Sequence, residues 1–205
     1  MPGMTDTDRE RIRNAIRDAE SRTSGEIITV IARRSDDYAF IPVLWAALLA
    51  LASPAAVIMA WPGLTADLVY VVQGAVFLAA FLALLWPPLR IRAIPRAVRR
   101  HRARRMAFEQ FLAQGVHRTA ERTGVLIFVA FAERHVEVIA DAGINAKVTQ
   151  ADWDGVVDAF TGQMRRGAVG DAFVEAIGRC GALLEMHFPK PPGNPDELPD
   201  HLVEL

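Results

Sequence analysis

The 205-residue sequence lacks the short motifs that mark common catalytic and redox sites. It has a single cysteine, Cys180, which excludes an internal disulfide and suits a reducing compartment. It contains neither a Cys-x-x-Cys pair nor a P-loop, GxGxxG, HExxH or GxSxG pattern. No Ser/His/Asp or Cys/His set can be assembled from the spacing of the residues. The sequence therefore indicates no motif-based catalysis.

Charged residues are also almost absent from the middle of the chain, where two long apolar runs occur. The runs are Ala39–Trp61 and Leu68–Pro87, and Asp67 is the one charged residue between their outer ends. Each run exceeds the roughly 18 apolar residues that mark a membrane-spanning helix. The short linker between them contains a Pro-Gly pair, which ends a helix and turns the chain back. This pattern predicts a two-helix transmembrane hairpin over residues 39–89.

The flanks of the hairpin decide between this interpretation and its alternatives. A signal peptide is excluded because the runs start near residue 39. Arg33 and Arg34 precede the first run, an arginine-rich segment follows the second, and the turn has no basic residue. Such flanks argue against a buried core hairpin and predict both termini in the cytoplasm of a bacterial cell, with the hairpin in the inner membrane. A re-entrant hairpin, kinked at Ser53-Pro54, is the remaining alternative.

The segment that follows the apolar runs is basic, whereas the C-terminal segment is acidic. Residues 90–105 form a basic segment with eight arginines, which are Arg90, Arg92, Arg96, Arg99, Arg100, Arg102, Arg104 and Arg105. Because the basic segment adjoins a membrane run, we predict that it contacts the anionic headgroups of a lipid bilayer and no nucleic acid. Residues 189–205 form a Pro-rich, extended tail whose acidic residues are Asp196, Glu197, Asp200 and Glu204.

The sequence outside the hairpin is long enough for one domain with a hydrophobic core. Before the hairpin, periodicity and turn residues predict a helix Thr7–Arg22 with a Thr7/Glu10 capping box and a strand Glu26–Ala32. After the hairpin, they predict a helix Ala97–Thr123, and then strands Val125–Ala132 and His135–Asp141 joined by Glu133-Arg134. Two helices, Thr149–Arg166 and Asp171–Phe188, follow. A strand that returns through a helix implies a parallel crossover, and the strand hairpin adds an antiparallel neighbour. The predicted fold class is α/β, a small mixed sheet sandwiched by helices (α/β/α) and interrupted by the transmembrane hairpin.

Several short motifs follow one another in the parts outside the hairpin. They are Thr23–Ile27 at the first strand, Gly124–Val129 and Val136–Ile144 in the strand hairpin, Trp153, and the Gly167/Gly170 pair. Their order and spacing resemble the TPM domain family, named from a thylakoid lumen protein, a photosystem II repair protein and a receptor auxiliary protein. The resemblance implies a first part of a TPM-like domain at 1–38 and a second part at 106–188.

The resemblance also carries functional expectations. It implies an α/β/α sandwich, and some plant members of the family are acid phosphatases or calcium binders. Family members commonly lie outside the cytoplasm, often with a separate C-terminal anchor. In this sequence the hairpin splits the domain after its first strand, and the charges place the domain inside, which puts phosphatase activity in doubt.

Three carboxylates are candidate metal ligands. Asp141 ends a predicted strand, and Asp152 and Asp154 lie at the start of the next helix. Together they would supply the hard oxygen ligands that Ca²⁺ or Mg²⁺ requires. The alternative is that Asp152 stabilises a helix N-terminus and Asp154 is a surface charge. No Asp-x-Asp-x-Asp-Gly loop is present, so the sequence indicates no strong calcium site.

Two further groups are predicted to be structural. His117 and Glu121 stand four residues apart on a predicted helix, where an exposed polar pair is favoured over a metal site. Cys180 lies on the apolar stripe of the last helix and is predicted to pack there. The functional prediction is a membrane-anchored, non-enzymatic accessory or interaction factor for a membrane protein complex. The alternative is a divalent-metal-dependent phosphatase that uses Asp141 with Asp152 or Asp154.

Overall fold

The computed structural model describes residues 4–194 and 197–205, so Asp196 of the predicted acidic tail lies outside the described residues. The chain divides into two compact units. The first unit holds the described residues up to Ser35 and from Arg100 onward, and the second is Asp36–Arg99. In chain order the elements are α1 (Asp6–Glu20), β1 (Glu26–Ala32), α2 (Phe40–Ala60), α3 (Ala66–Leu85), α4 (Pro87–Ala93), α5 (Arg96–Ala113), a 3-10 turn (Val116–Arg118), β2 (Gly124–Ala130), β3 (His135–Ala140), α6 (Ala142–Asn145), α7 (Gln150–Arg165), α8 (Val169–His187) and β4 (Leu202–Glu204).

The first unit is built on a mixed sheet with the strand order β3-β2-β1-β4. β1 runs parallel to β2, from the pair Glu26–Gly124 to the pair Ala32–Ala130. β3 lies antiparallel to β2, and β4 lies parallel to β1. The predicted parallel crossover and its antiparallel neighbour are therefore confirmed.

Helices cover both faces of this sheet. On one face, α1, α7 and α8 bury an apolar cluster that includes Ile16, Phe160 and Phe173. On the other face, α5 buries Ala103, Ala107 and Phe111, which repeat every four residues and so form one stripe of the helix. Full burial of a side chain such as Phe173 contributes roughly 1.5–3 kcal/mol. The predicted fold class, an α/β/α sandwich, is confirmed.

β4 corrects the prediction of a merely extended tail. Its residues pair with Thr29–Ile31 of β1. The Leu205 N–H donates to the Ile31 carbonyl oxygen at 2.9 Å, and the Arg9 guanidinium contacts the Glu204 carboxylate at 2.5 Å. A three-residue strand has too little periodicity to be read from sequence, because a distant sheet edge supplies its hydrogen bonds.

Two helix ends also differ from the prediction. The capping box of α1 is formed by Thr5 and Asp8 instead of Thr7 and Glu10. The helix predicted as Ala97–Thr123 ends at Ala113, because Gly115 adopts φ +72°, a left-handed conformation that ends helices and favours glycine.

The loop between β2 and β3 is longer than predicted. Four residues, Phe131, Ala132, Glu133 and Arg134, connect the strands in place of the predicted two-residue turn.

The second unit contains the two apolar helices. α2 and α3 are long and apolar enough to cross a membrane. α2 buries few side chains, among them the small Ala46 and Ala50, and α3 buries none. α2 continues as a helix through Pro54, and the Ser53 hydroxyl donates to the Ala50 carbonyl oxygen at 2.9 Å. A core helix of a soluble protein would be mostly buried, so this exposure agrees with the predicted hairpin.

Candidate functional site

Asp141, the first predicted metal ligand, is buried where β3 ends and α6 begins. Its Oδ1 accepts a hydrogen bond from the Ala142 N–H at 2.6 Å, which caps α6. Its Oδ2 lies 3.1 Å from the Nε of Arg122. Oδ1 is thus hydrogen-bonded to the backbone, whereas the buried Oδ2 has Arg122 as an ion-pair partner and accepts no hydrogen bond from the described residues.

Asp152 and Asp154 have separate partners on α7. Asp152 accepts hydrogen bonds from the Thr149 N–H at 2.9 Å and from the Thr149 hydroxyl at 2.6 Å, which completes a capping box. The hydrogen bond from the Thr149 hydroxyl, more than any other contact, lowers the pKa of Asp152. Asp154 accepts a hydrogen bond from the Gln150 amide at 3.0 Å.

The three carboxylates do not form one centre. In the part of the chain that the structure describes, no three His, Cys, Asp or Glu side chains are grouped so that they could hold a metal ion. Asp152 thus acts as the helix-capping residue that its position after Thr149 indicates.

The two groups predicted to be structural lie apart from any such cluster. His117 is in the 3-10 turn and Glu121 lies beyond it, so the two do not share a helix face. Cys180 is fully buried in the α1/α7/α8 core, and this burial raises the pKa of its thiol to about 12. A thiol in this state is a poor nucleophile, which agrees with a packing role.

A concave surface of the first unit lies along β3. Its walls are the start of α5, the strand β3 and the first turn of α7, and we call it the β3 groove. It comprises two adjoining cavities of about 500 and 680 Å³, which share the lining residues His101, Arg104, Glu137, Val138, Gln150 and Trp153. Both cavities are lined wholly by residues of the first unit.

One edge of β3 faces this groove with its backbone. The Asp141 N–H donates to the Gly124 carbonyl oxygen at 2.9 Å. In the register of the two strands, His135, Glu137 and Ile139 therefore exchange backbone hydrogen bonds with β2. By the alternation of such ladders, the backbone groups of Val136, Val138 and Ala140 point away from β2. The Ala140 carbonyl oxygen accepts a hydrogen bond from the Asn145 amide at 2.7 Å, whereas Val136 and Val138 stand on the open edge of the sheet.

Side chains on two walls of the groove carry charge. Arg104 of α5 lies 3.5 Å from Glu137, whose other carboxylate oxygen is 2.7 Å from the ring of His135. Arg100 stands one helical turn before Arg104 and is exposed. Within residues 4–194 and 197–205, no acidic side chain forms an ion pair with Arg100. The α5 wall is therefore basic.

Apolar side chains complete the groove. Trp153 lines both cavities and is only 5% exposed, and no described atom accepts a hydrogen bond from its indole N–H. Phe108 of α5 lines the larger cavity and is 55% exposed. The groove thus combines an apolar floor with a basic wall and a free strand edge.

Sequence reasoning identified Arg100 and Arg104 only as lipid contacts and did not bring Trp153 or Glu137 into a site. The relevant signal was the alternating pattern of β3, which predicts a strand with a partly uncovered face. That pattern does not reveal which helix forms the opposite wall.

The eight predicted lipid-binding arginines occupy different elements. Arg90 and Arg92 are in α4, and Arg96 and Arg99 are in the part of α5 that belongs to the second unit. The others, in the first unit, are Arg100, Arg102, Arg104 and Arg105. Arg105 pairs with Glu109 at 2.9 Å on the same helix.

A separate buried carboxyl group lies at the end of α1. Glu20 is 7% exposed and accepts a hydrogen bond from the Ile27 N–H at 2.8 Å. Burial raises the pKa of Glu20 to about 9, and the nearby carboxyls of Asp200 and Glu26 act in the same direction. Asp200 in turn pairs with Arg17 at 3.0 Å. No local pattern singles out Glu20, since the carboxyls around it come from distant segments of the chain.

Comparison with known proteins identifies the domain. Residues 89–183 match the TPM domain. The match begins just after the second apolar helix, and α1 and β1 precede it, although both belong to the same compact unit as matched residues 100–183. The resemblance to the TPM domain family is thus confirmed over residues 89–183, and the residues that line the β3 groove lie within this match.

A solved structure shares the fold. The NMR structure of the BA42 protein from the psychrophilic bacterium Bizionia argentinensis sp. nov. superposes with a TM-score of 0.63 at 22% sequence identity, covering 98% of this chain and 94% of that chain. At this identity the likeness concerns the fold alone. No curated protein matches the sequence.

Proposed function

We propose that the protein is a membrane-anchored interaction module that uses its TPM domain to bind a membrane protein and carries out no catalysis. The observation that carries this proposal is the β3 groove. It offers a free strand edge, a basic wall and an apolar floor, and its charged residues form no nucleophile–base pair. These are features of a binding surface.

The anchor is the helical pair α2 and α3. Their exposed apolar surface and their lengths of 21 and 20 residues suit a bilayer core of about 30 Å. Basic residues flank the pair at both outer ends, and the turn between the helices has none. By the positive-inside rule, both chain termini lie in the cytoplasm, with the hairpin in the inner membrane of a bacterium.

The basic segment serves both parts of this module. The arginines nearest the apolar helices, Arg90, Arg92, Arg96 and Arg99, would contact anionic lipid headgroups, each contributing about 1 kcal/mol when close to the surface. Arg100 and Arg104 line the β3 groove instead. The proposed partners are thus an anionic bilayer and a membrane protein.

A divalent-metal-dependent phosphatase using Ca²⁺ or Mg²⁺ is the alternative that the family resemblance suggests. Among the described residues, no three His, Cys, Asp or Glu side chains are grouped so that they could hold the metal ion. Asp141 is tied to Arg122, Asp152 caps a helix, and Asp154 is bound by Gln150.

Photo-crosslinking in cells tests the interaction. In the test variant, a photo-crosslinking amino acid replaces Phe108, which lines the groove. In the control variant it replaces Met186, which is 74% exposed on α8. We expect one membrane protein to be cross-linked from position 108 and not from position 186, and the cross-link to be lost with Arg104→Glu. Cross-links to lipid alone from position 108, or phosphate-ester hydrolysis that is lost with Asp141→Asn, would contradict the proposal.

A further inference from the structure

We propose that the β3 groove binds an acidic peptide segment in an extended conformation, which adds to the sheet as a strand beside β3. This inference rests on the proposed function and specifies the segment of the partner that the TPM domain recognises. The argument uses the backbone of β3, the charge of α5 and the shape of the groove.

The backbone of β3 supplies the pairing groups. Val136 and Val138 direct their N–H and C=O groups outward, because the Asp141–Gly124 hydrogen bond sets the ladder of the strand pair. β3 ends the sheet on this side, and at the other edge β4 pairs with β1. An extended chain can therefore satisfy the outward groups of β3 by the same pairing that joins strands within the sheet.

The length of the free edge sets the length of the peptide. At the Ala140 end, the Asn145 amide already occupies the Ala140 carbonyl oxygen at 2.7 Å. The pairing would accordingly run from His135 to about Val138. At roughly 3.3 Å per residue, a peptide of about four to six residues covers this stretch and its margins.

The charge of the α5 wall selects an acidic peptide. Arg100, Arg104 and Arg105 line the two cavities together with His101, whereas Glu137 and Asp154 are the acidic residues that line them. Glu137 is already in contact with His135, and Asp154 with the Gln150 amide. The Arg104 contact is long, 3.5 Å, and its side chain is 77% exposed, so its guanidinium can turn to a peptide carboxylate.

The floor of the groove favours a peptide over a lipid headgroup or a nucleic acid. Phe108, which is 55% exposed, provides apolar contact for a side chain of an extended peptide, and the nearly buried Trp153 closes the groove beneath it. Strand pairing uses backbone N–H and C=O groups in strict alternation, which a headgroup or a sugar–phosphate chain does not present. The combination of a free strand edge with basic and apolar walls is complementary to a peptide in which acidic and apolar residues alternate.

Fluorescence anisotropy of the full chain in detergent micelles tests the inference. The probe is the peptide Glu-Val-Asp-Val-Glu-Val-amide with fluorescein on its N-terminal nitrogen. Its control has the same sequence and label, with alternate backbone nitrogens methylated, which removes the N–H donors of one peptide edge. A second control replaces the acidic residues by lysine. We expect saturable binding of the first peptide and at least about tenfold weaker binding of both controls, as loss of pairing or charge complementarity predicts.

Two variants locate the binding, with one matched control. Val138→Pro removes an outward N–H without removing a donor to β2, and Arg104→Glu reverses the charge of the α5 wall. Each should raise the Kd about tenfold or more. Arg13→Glu, an exposed arginine of α1 away from the groove, should leave the Kd within about twofold. Thermal unfolding of each variant shows whether the fold is kept.

Hydrogen exchange gives a readout independent of these variants. The peptide should slow exchange of the Val136 and Val138 amides, which point away from β2 and for which the structure shows no acceptor among residues 4–194 and 197–205. Absence of saturable binding, equal affinity for the methylated peptide, or protection of these amides by anionic lipid in place of peptide would each overturn the inference. If the Phe108 position still cross-links a membrane protein in any of these cases, the proposed function stands and only the strand-pairing mode is wrong.

Discussion

The Nε of Arg104 on α5 lies 3.5 Å from the Oε1 of Glu137 on β3, so an ion pair joins two walls of the β3 groove. The Arg104 side chain is largely exposed and the distance is long, which makes this pair a weak contributor to stability. The role that we propose for Arg104 is recognition of a partner.

Because the ion pair is weak, removing the Arg104 side chain should affect partner binding much more than the stability of the fold. Arg104→Ala should lower the free energy of unfolding by less than about 1 kcal/mol, since an exposed pair contributes little. The same change should abolish the partner cross-link from position 108. Chemical denaturation in detergent and the cross-linking yield provide the two measurements. A loss of several kcal/mol would show that Arg104 supports the fold instead.

Glu20 predicts an unusual dependence of stability on pH. Its pKa is raised from 4.5 to about 9 in the folded protein, so the folded state holds a proton that the unfolded state releases above its own lower pKa. Stability from this group is therefore fully present below about pH 4.5 and falls as the pH rises toward about 9. Glu20→Gln keeps an oxygen acceptor for the Ile27 N–H and removes the titration.

The measurement for this prediction is the thermal midpoint of both proteins between pH 5 and pH 9. We expect the midpoint of the wild type to fall over this range relative to that of Glu20→Gln, so that the variant gains most at the alkaline end. Parallel curves would show that Glu20 is ionised in the folded protein. The neighbouring carboxyls of Asp200 and Glu26 remain unchanged in both proteins.

Asp141 distinguishes the interaction module from a phosphatase. Asp141→Asn removes one charge of the ion pair with Arg122 and keeps an oxygen that can cap α6. We expect a modest loss of stability, about 1 kcal/mol, and no change in calorimetric titrations with Ca²⁺ or Mg²⁺. Cation binding by the wild type that disappears in this variant, together with lost ester hydrolysis, would support the phosphatase. Asp8→Asn, at the capping box of α1, serves as the matched control at a helix cap.

The orientation of the hairpin is testable with reporters. Because arginines flank both outer ends and the turn has no basic residue, a reporter fused after Leu205 should be active in the cytoplasm. A reporter inserted after Gly63, in the turn, should be active only in the periplasm. A periplasmic signal from the Leu205 fusion would contradict the proposed topology.

The basic segment predicts selective lipid binding. A deletion variant in which residues 39–89 are replaced by a short polar linker retains the basic segment and should fold cooperatively, since both flanking pieces belong to one compact unit. We expect it to sediment with anionic vesicles and much less with neutral ones. Replacing Arg90, Arg92, Arg96 and Arg99 by glutamine should remove most of this binding, at about 1 kcal/mol per close arginine.

Two outcomes would count against this account of the basic segment. One is equal sedimentation with neutral and anionic vesicles. The other is salt-sensitive retention on DNA or RNA columns, which would assign the arginines to nucleic acid.

The sequence by itself determined the elements whose signals are local. The apolar runs mark α2 and α3, because a helix long enough to span a bilayer needs about 20 apolar residues in succession. The β-branched segments of β1 and β2 and the periodic stripes of α7 and α8 predict the sandwich, since each element must bury its own apolar face. The helix cap formed by Thr149 and Asp152 was likewise readable from its spacing.

Tertiary structure alone decided the features that join distant segments. β4 forms only because the edge of β1 supplies its hydrogen bonds. The pKa of Glu20 is raised because folding buries its carboxyl and, to a lesser extent, brings Asp200 and Glu26 beside it. The β3 groove exists because α5 packs across the sheet and leaves the outer edge of β3 open. Hydrogen bonds, burial and charge proximity between residues far apart in the chain depend on the folded coordinates, so no local pattern records them.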